Sequence, residues 1–237
     1  NWGASSAKTY TLNSGNASNF ENLLGSDNDD TLNGDANANI IIGAKGVDTI
    51  NGGAGNDTIW GDCSTSACKT LISQNQSSYS LDESYWGSSG KNDILNGGAG
   101  DDTIYGEIGD DTIDGGAGND TIISGSGSDV IIITSSSDSD TLSDFTDGTD
   151  AIGFDSSITS SNLVIAASGS DTVIKNGSDI LLTLTGISSA NVTAADLQST
   201  STDAQTINGT PGNDILVGGA GNDTFNGGAG SDQLVGW

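Results

Sequence analysis

A nine-residue period constrains this chain more than any other feature. From Gly25 it reads GSDNDDTLN, GDANANIII, GAKGVDTIN and GGAGNDTIW. After an interruption come SSGKNDILN, GGAGDDTIY, GEIGDDTID, GGAGNDTII and SGSGSDVII, and later GTPGNDILV, GGAGNDTFN and GGAGSDQLV. The sixth position of these twelve units is Asp30, Asn39, Asp48, Asp57, Asp93, Asp102, Asp111, Asp120, Asp129, Asp214, Asp223 and Asp232. The eighth is Leu32, Ile41, Ile50, Ile59, Leu95, Ile104, Ile113, Ile122, Ile131, Leu216, Phe225 and Leu234, apolar in every unit.

A repeat this short is one strand and one turn. Along D-x-U-x, positions six and eight face one way and seven and nine the other. Only the eighth is always apolar, so each unit is predicted to bury a single side chain. Glycines at positions one, two and four supply turns that need positive φ or close backbone approach. Two units then make one 18-residue coil, and the fold class expected from the period is all-β: a parallel β-roll in three blocks. The blocks are 25–62, 91–132 and 201–237, with a lead-in at 1–24, an insertion at 63–90 and a further β segment at 133–200.

Composition excludes several functions. The chain has 237 residues, 32 acids against 5 Lys, no Arg and no His, and a formal charge of −27. Nucleic acid is therefore excluded as a partner. Without His, neither a catalytic triad nor a His-based zinc site can be built. No apolar run reaches the roughly 20 residues of a membrane span. The expectation is that the chain is not an enzyme; glycosidase chemistry needs two unclaimed acids flanking a cleft, and Asp82 and Glu83 are the only obvious spare neighbours.

Stacking places each sixth residue beside the one 18 positions on: Asp30 with Asp48, Asn39 with Asp57, Asp93 with Asp111, Asp102 with Asp120, Asp111 with Asp129, and Asp214 with Asp232. Like charges so close repel unless a cation lies between them. Two carboxylates and about four peptide carbonyls form the all-oxygen shell that calcium takes, whereas zinc prefers nitrogen and sulfur. Roughly six to nine ions are expected, with folding coupled to their binding. Asn39 brings an amide oxygen but no charge. Regular Thr at position seven (Thr31, Thr49, Thr58, Thr103, Thr112, Thr121 and Thr224) reads as exposed-strand propensity or as an ice-binding row.

These units resemble the repeats-in-toxin (RTX) family, whose G-G-x-G-x-D-x-U-x repeat binds calcium. The resemblance implies a β-roll that stays unfolded in calcium-poor cytosol, passes a type I secretion channel and folds outside the cell. The run DTLSDFTDGTDAI, Asp140 to Ile152, resembles the β-sandwich-like extension that caps the roll in serralysin-type secreted proteases, which implies a β-sandwich-like cap segment here. Asp140, Asp144 and Asp150 there are candidates for a further calcium or simply shape turns. Strands are predicted at SDVIIIT, DTLSDF, TDAIGF, NLVIAAS, DTVIKN and DILLTLTGI, with one helical turn at Val192–Leu197.

Cys63 and Cys68 depart from the family's usual lack of cysteine and are expected to form a disulfide, consistent with an oxidising, extracellular setting. Tyr79, Tyr85 and Trp86 give the insertion an aromatic cluster, either a small core or a contact surface for glycan or another protomer. Trp2, Tyr10 and Leu12 lie in the lead-in. The start at Asn1 suggests a processed or excised chain, and the last repeats, with Leu234 and Trp237, an uncapped coil end. The expected function is a secreted structural protein that self-associates head-to-tail at the cell surface as a filament, surface layer or adhesin. The alternative is a calcium-triggered folding and secretion module of a larger type I-secreted enzyme or adhesin.

Overall fold

The computed structural model describes residues 9–11, 21–63, 90–135, 137–154, 157–158, 163–199, 204–209, 211 and 215–236. They fall in two compact units, Asn1–Asp129 and Val130–Trp237.

The first unit is a parallel β-roll. Its strands are β1 (Thr9–Thr11), β2 (Glu21–Leu24), β3 (Thr31–Asn33), β4 (Asn39–Ala44), β5 (Thr49–Ala54), β6 (Thr58–Asp62), β7 (Ile94–Ala99), β8 (Thr103–Tyr105), β9 (Thr112–Ala117) and β10 (Thr121–Ile123). Odd strands run β1-β3-β5-β7-β9 in one sheet and even strands β10-β8-β6-β4-β2 in the other. The alternation follows from the period, since each turn carries the chain from one sheet to the other. In register, Tyr10, Leu32, Ile50, Leu95 and Ile113 form one column, and Leu23, Ile41, Ile59, Ile104 and Ile122 form the second. From Leu32 and Ile41 onward, these eighth-position side chains are buried.

Pairing spans the insertion without a break. Ile50 lies opposite Leu95 and Thr58 opposite Thr103, 45 residues on instead of the usual 18. The 27 residues 63–89 therefore leave between the second and third positions of a single turn. Glycine solves two separate problems in these turns. Positions two and four lie in the left-handed region, as at Gly98 (φ 105°) and Gly100 (φ 132°). At position one the limit is space, as shown below.

The second unit begins with β11 (Val130–Ile133), β12 (Asp140–Leu142), β13 (Ala151–Phe154), β14 (Leu163–Ser168), β15 (Asp171–Asn176) and β16 (Asp179–Leu184). A 3₁₀ turn at Ala194–Asp196 precedes β17 (Leu197–Ser199), β18 (Thr206–Asn208), β19 (Ile215–Val217), β20 (Thr224–Asn226) and β21 (Gln233–Val235). The expected strands of the cap are all present, and the expected helical turn is this 3₁₀ turn, closed by a Thr193–Asp196 capping box. β11, β13 and β17 pair in parallel, while β14, β15 and β16 form an antiparallel meander joined to β12. The 18-residue register returns in β18–β20 and β19–β21, with Ile207 opposite Phe225 and Leu216 opposite Leu234.

Ile104→Ala should lower stability by about 2–5 kcal/mol, because it empties a fully buried site in a core one side chain wide. Its neighbour Thr103→Ala should cost about 0.5 kcal/mol. Denaturant titration in saturating calcium checks the pair; equal losses would contradict the inward-facing eighth position.

Candidate metal centre

The sixth-position acids form two ladders along the edges of the roll. Asp48 Oδ1 accepts the Asp30 N–H at 2.8 Å, Asp93 Oδ1 that of Asp48 at 2.7 Å, Asp111 Oδ1 that of Asp93 at 2.8 Å, and Asp129 Oδ1 that of Asp111 at 2.9 Å. On the other edge, Asp57 Oδ1 accepts from Asn39 at 2.7 Å, Asp102 Oδ1 from Asp57 at 2.6 Å, and Asp120 Oδ1 from Asp102 at 2.8 Å. Each carboxylate thus uses one oxygen to lock the preceding rung.

The other oxygen faces inward. Oδ2 of Asp48, Asp57, Asp93, Asp102 and Asp111 is buried without a hydrogen-bond partner. Each packs against the position-one glycine of its own turn, where a carbonyl from the next rung also arrives. A Cβ on Gly106 would lie 2.6 Å from Asp111 Oδ2 and would collide with Ser124 O. Gly43, Gly52 and Gly97 make the same cradle. Leaving buried carboxylate oxygens charged and unpaired is costly in a dry interior, so this donor set is relieved by a cation or, in its absence, by a proton. Charged and carbonyl oxygens without nitrogen or sulfur suit calcium. Among the described residues no group of three or more His, Cys, Asp or Glu side chains forms a cage alone, so peptide carbonyls must complete each shell.

Burial, then neighbouring carboxylates, raises these acids against the pull of their backbone bonds. Asp57 rises to about 6, Asp48, Asp102 and Asp111 to about 7, and Asp93 to about 9. Asp93 feels Asp48, Asp62 and Asp111 together.

The first rung of each ladder is bonded differently. Asp30 Oδ2 accepts the Ser26 N–H at 2.6 Å. Asn39 Oδ1 accepts the Asp35 N–H at 2.9 Å and stands against Gly34, where other turns place Asp Oδ2. In the third block Asp223 Oδ1 accepts the Gln205 N–H at 2.9 Å, and its Oδ2 is buried and unpartnered. Asp232 Oδ2 packs on Gly227; Asp214 lies outside the described residues. In the cap, Asp140 and Asp150 are buried, and Asp150 Oδ2 accepts the Thr146 N–H at 2.7 Å, which shapes that turn. Asp144 is only partly buried.

Several features escape the period read alone. The rungs Asp48–Asp93 and Asp57–Asp102 span the insertion at a spacing of 45. Position five builds a second, exposed ladder: Asp29 accepts from Val47, Asn56 from Asp101, Asn92 from Asp110, Asp101 from Asn119 and Asp110 from Ser128, at 2.9 to 3.2 Å. The recurrence of Asn or Asp before the sixth-position acid was the available signal. On the outer face of the even-strand sheet, Trp60 stacks on Tyr105 with centroids 4.9 Å apart and planes 5° apart, beside Ile42, Ala44 and Cys63. Thr31, Thr49 and Thr112 share one sheet with Ile94 in their row, while Thr58, Thr103 and Thr121 lie on the other behind Ile40. No described cysteine is free, and Cys63 is buried. Cys68, Tyr79, Asp82, Glu83, Tyr85, Trp86, Trp2, Leu12 and Trp237 lie outside the described residues.

The RTX calcium-binding nonapeptide repeat (4 copies) matches residues 24–59, 88–122, 96–131 and 199–236. No curated protein matches the chain. Among solved structures, the AlgE6R3 subunit of the Azotobacter vinelandii mannuronan C5-epimerase is similar at 26% identity, over 45% of this chain and 72% of that one, with a TM-score of 0.37. The AlgE6R2 subunit of that epimerase is similar at 23% identity, over 47% and 89%, with a TM-score of 0.35. The extracellular lipase LipA from Serratia marcescens is similar at 16% identity, over 77% of this chain and 40% of the lipase, with a TM-score of 0.38.

The raised acids set a pH dependence. A free Asp titrates near 3.9, so between about pH 4 and the raised values the metal-free roll holds protons that the unfolded chain has released. Stability of the metal-free roll therefore falls as pH rises through that window. In chelator, the β-type circular dichroism should be larger at about pH 5 than at about pH 8. Calcium added near neutrality should release protons into weakly buffered solution; calcium binding without proton release would refute the raised values. Asp111→Ala, which strips the acceptor of Asp93 and one carboxylate, should cost ~3 kcal/mol in calcium. Asp232→Ala should cost less by the same calorimetry.

Proposed function

Because the chain belongs to the RTX calcium-binding nonapeptide repeat family, we propose that it is a secreted, non-enzymatic structural protein that folds on calcium outside the cell and assembles head-to-tail at the cell surface. The observation that carries this reading is the run of buried, unpartnered Asp Oδ2 atoms in glycine cradles. Such a roll is held apart by its own charge until calcium arrives, which suits a protein exported unfolded and made rigid outside. Support for a structural role is the lack of His and Arg in the chain and the use of the repeat acids as rungs.

Strands of one copy's roll pairing with those of the next would make a heterologous contact, which propagates as a fibre or layer. Cys63, buried at the neck of the insertion, pairs with Cys68 in this reading and closes a short loop suited to an oxidising compartment. A second reading, a calcium-triggered folding and secretion module of a larger enzyme or adhesin, draws on the same ladders.

Circular dichroism and hydrodynamic radius in chelator, calcium and magnesium test the folding step. The chain should be expanded in chelator at neutral pH, compact and β-rich in calcium, and little changed by magnesium. Full folding in excess chelator overturns the calcium account. Electron microscopy and sedimentation in saturating calcium test assembly: polymers that dissolve in chelator support it, and a monomer at high concentration leaves the second reading.

A further inference from the structure

Asparagine is a thermolabile residue, and a glycine after it, lacking Cβ, gives its backbone nitrogen open access to the asparagine side-chain amide. Six asparagines here are followed by glycine: Asn33, Asn51, Asn96, Asn176, Asn208 and Asn226. Five of them are held by the coil. The Gly34 N–H is bonded to Asn51 O at 2.8 Å, and the Gly209 N–H to Asn226 O at 2.8 Å. Gly52 and Gly97 lie inside β5 and β7, whose pairing continues past them. At Gly34, Gly52 and Gly97 even a methyl group would collide with a carbonyl of the next rung. Asn226 Nδ2 donates to Asn208 Oδ1 at 3.4 Å, and Gly227 packs against Asp232 Oδ2.

Asn176 is placed differently. It ends β15 and pairs with Asp179, the first residue of β16, so Gly177 and Ser178 form a two-residue hairpin loop. Gly177 takes the first loop position at φ 65°, the left-handed region that such a turn needs there. Both loop residues are exposed, and a Cβ on Gly177 would meet nothing within 4 Å. Among the described residues nothing accepts the Gly177 N–H or holds the Asn176 side-chain amide. The register of β15 and β16 slips between Ile174 and Lys175, so an irregular pair joins this loop end to the rest of the hairpin.

We propose that Asn176 is a self-modification site, at which the chain converts its own asparagine to aspartate and isoaspartate. The Gly177 nitrogen attacks Asn176 Cγ, the new N–Cγ bond closes a succinimide ring, and Nδ2 leaves as ammonia with the proton from that nitrogen. Water then opens the ring. Cleavage of the N–Cγ bond gives aspartate; cleavage of the bond between that nitrogen and the Asn176 backbone carbonyl carbon gives isoaspartate, with the main chain rerouted through the side chain. Water is the only co-reactant, and nothing is oxidised or reduced. Either product sets a carboxylate opposite Asp179, and like charges directly opposite weaken a strand pair. Isoaspartate also adds an atom to the main chain, which disturbs the register of the loop. β15 is the middle strand of the meander and carries the buried Val173 and Ile174, so the reaction ages this sheet and spares the roll.

The test is peptide mapping by mass spectrometry of the full chain during incubation at neutral pH in saturating calcium, with isoaspartate scored by enzymatic methylation. Asn176 should react at least about tenfold faster than each of the other five, which must wait for local opening of the coil. Isoaspartate should appear alongside aspartate. Gly177→Ala should slow the reaction about tenfold, because its Cβ hinders the attacking nitrogen; the unaltered chain alone decides the matter if that variant misfolds. A faster reaction at any other Asn-Gly pair, equal rates at all six, or aspartate without isoaspartate overturns the inference.

Discussion

Like-charge repulsion between buried carboxylates is the constraint on which the rest of this roll depends. Stacked strands bring one Asp per turn above another, and the Oδ1–backbone bonds of 2.6 to 2.9 Å hold them there. The same geometry leaves Oδ2 dry and unpaired. The apolar filling is one side chain per unit from each sheet, too thin to offset many such charges. A divalent cation between them would convert each repulsive pair into a joint, which is what the proposed calcium-coupled folding rests on.

Glycine placement follows from the same joints. At position one, a methyl group would occupy the space where a carboxylate oxygen meets the carbonyl of the next rung. At positions two and four, the backbone turns through positive φ. Ala44 and Glu107 are the non-glycine residues in that region among those described. Ala44 packs in the apolar cluster with Trp60 and Ile42, whereas Glu107 carries a charge to the neck of the insertion. The two residues show that the roll tolerates strain where a side chain gives something in return.

The insertion shows how a solenoid accommodates a long excursion. Neighbouring rungs contact only each other, so what matters is that the chain returns at the next unfilled position of the same turn. Gly90 does so, facing Ile108 O just as Gly61 faces Gly106 O. The strands on either side keep their pairing, Ile50 to Leu95 and Ile59 to Ile104.

The sequence by itself determined the strand–turn unit, its inward column and the acids at its edges, because a nine-residue period leaves one geometry in which every eighth residue is buried. Tertiary structure decided what a local period cannot encode. Asp48 and Asp57 found partners 45 residues away because pairing depends on which turn is next in space, not on spacing along the chain. Trp60 and Ile42 stand at the ninth position, which strand alternation assigns to the outer face, yet both are buried, since a flat sheet of stacked identical rungs lines such side chains into a second apolar row. Only the stacking of one turn on the next brings Glu107 near Asp62, and Asp62 near Asp93.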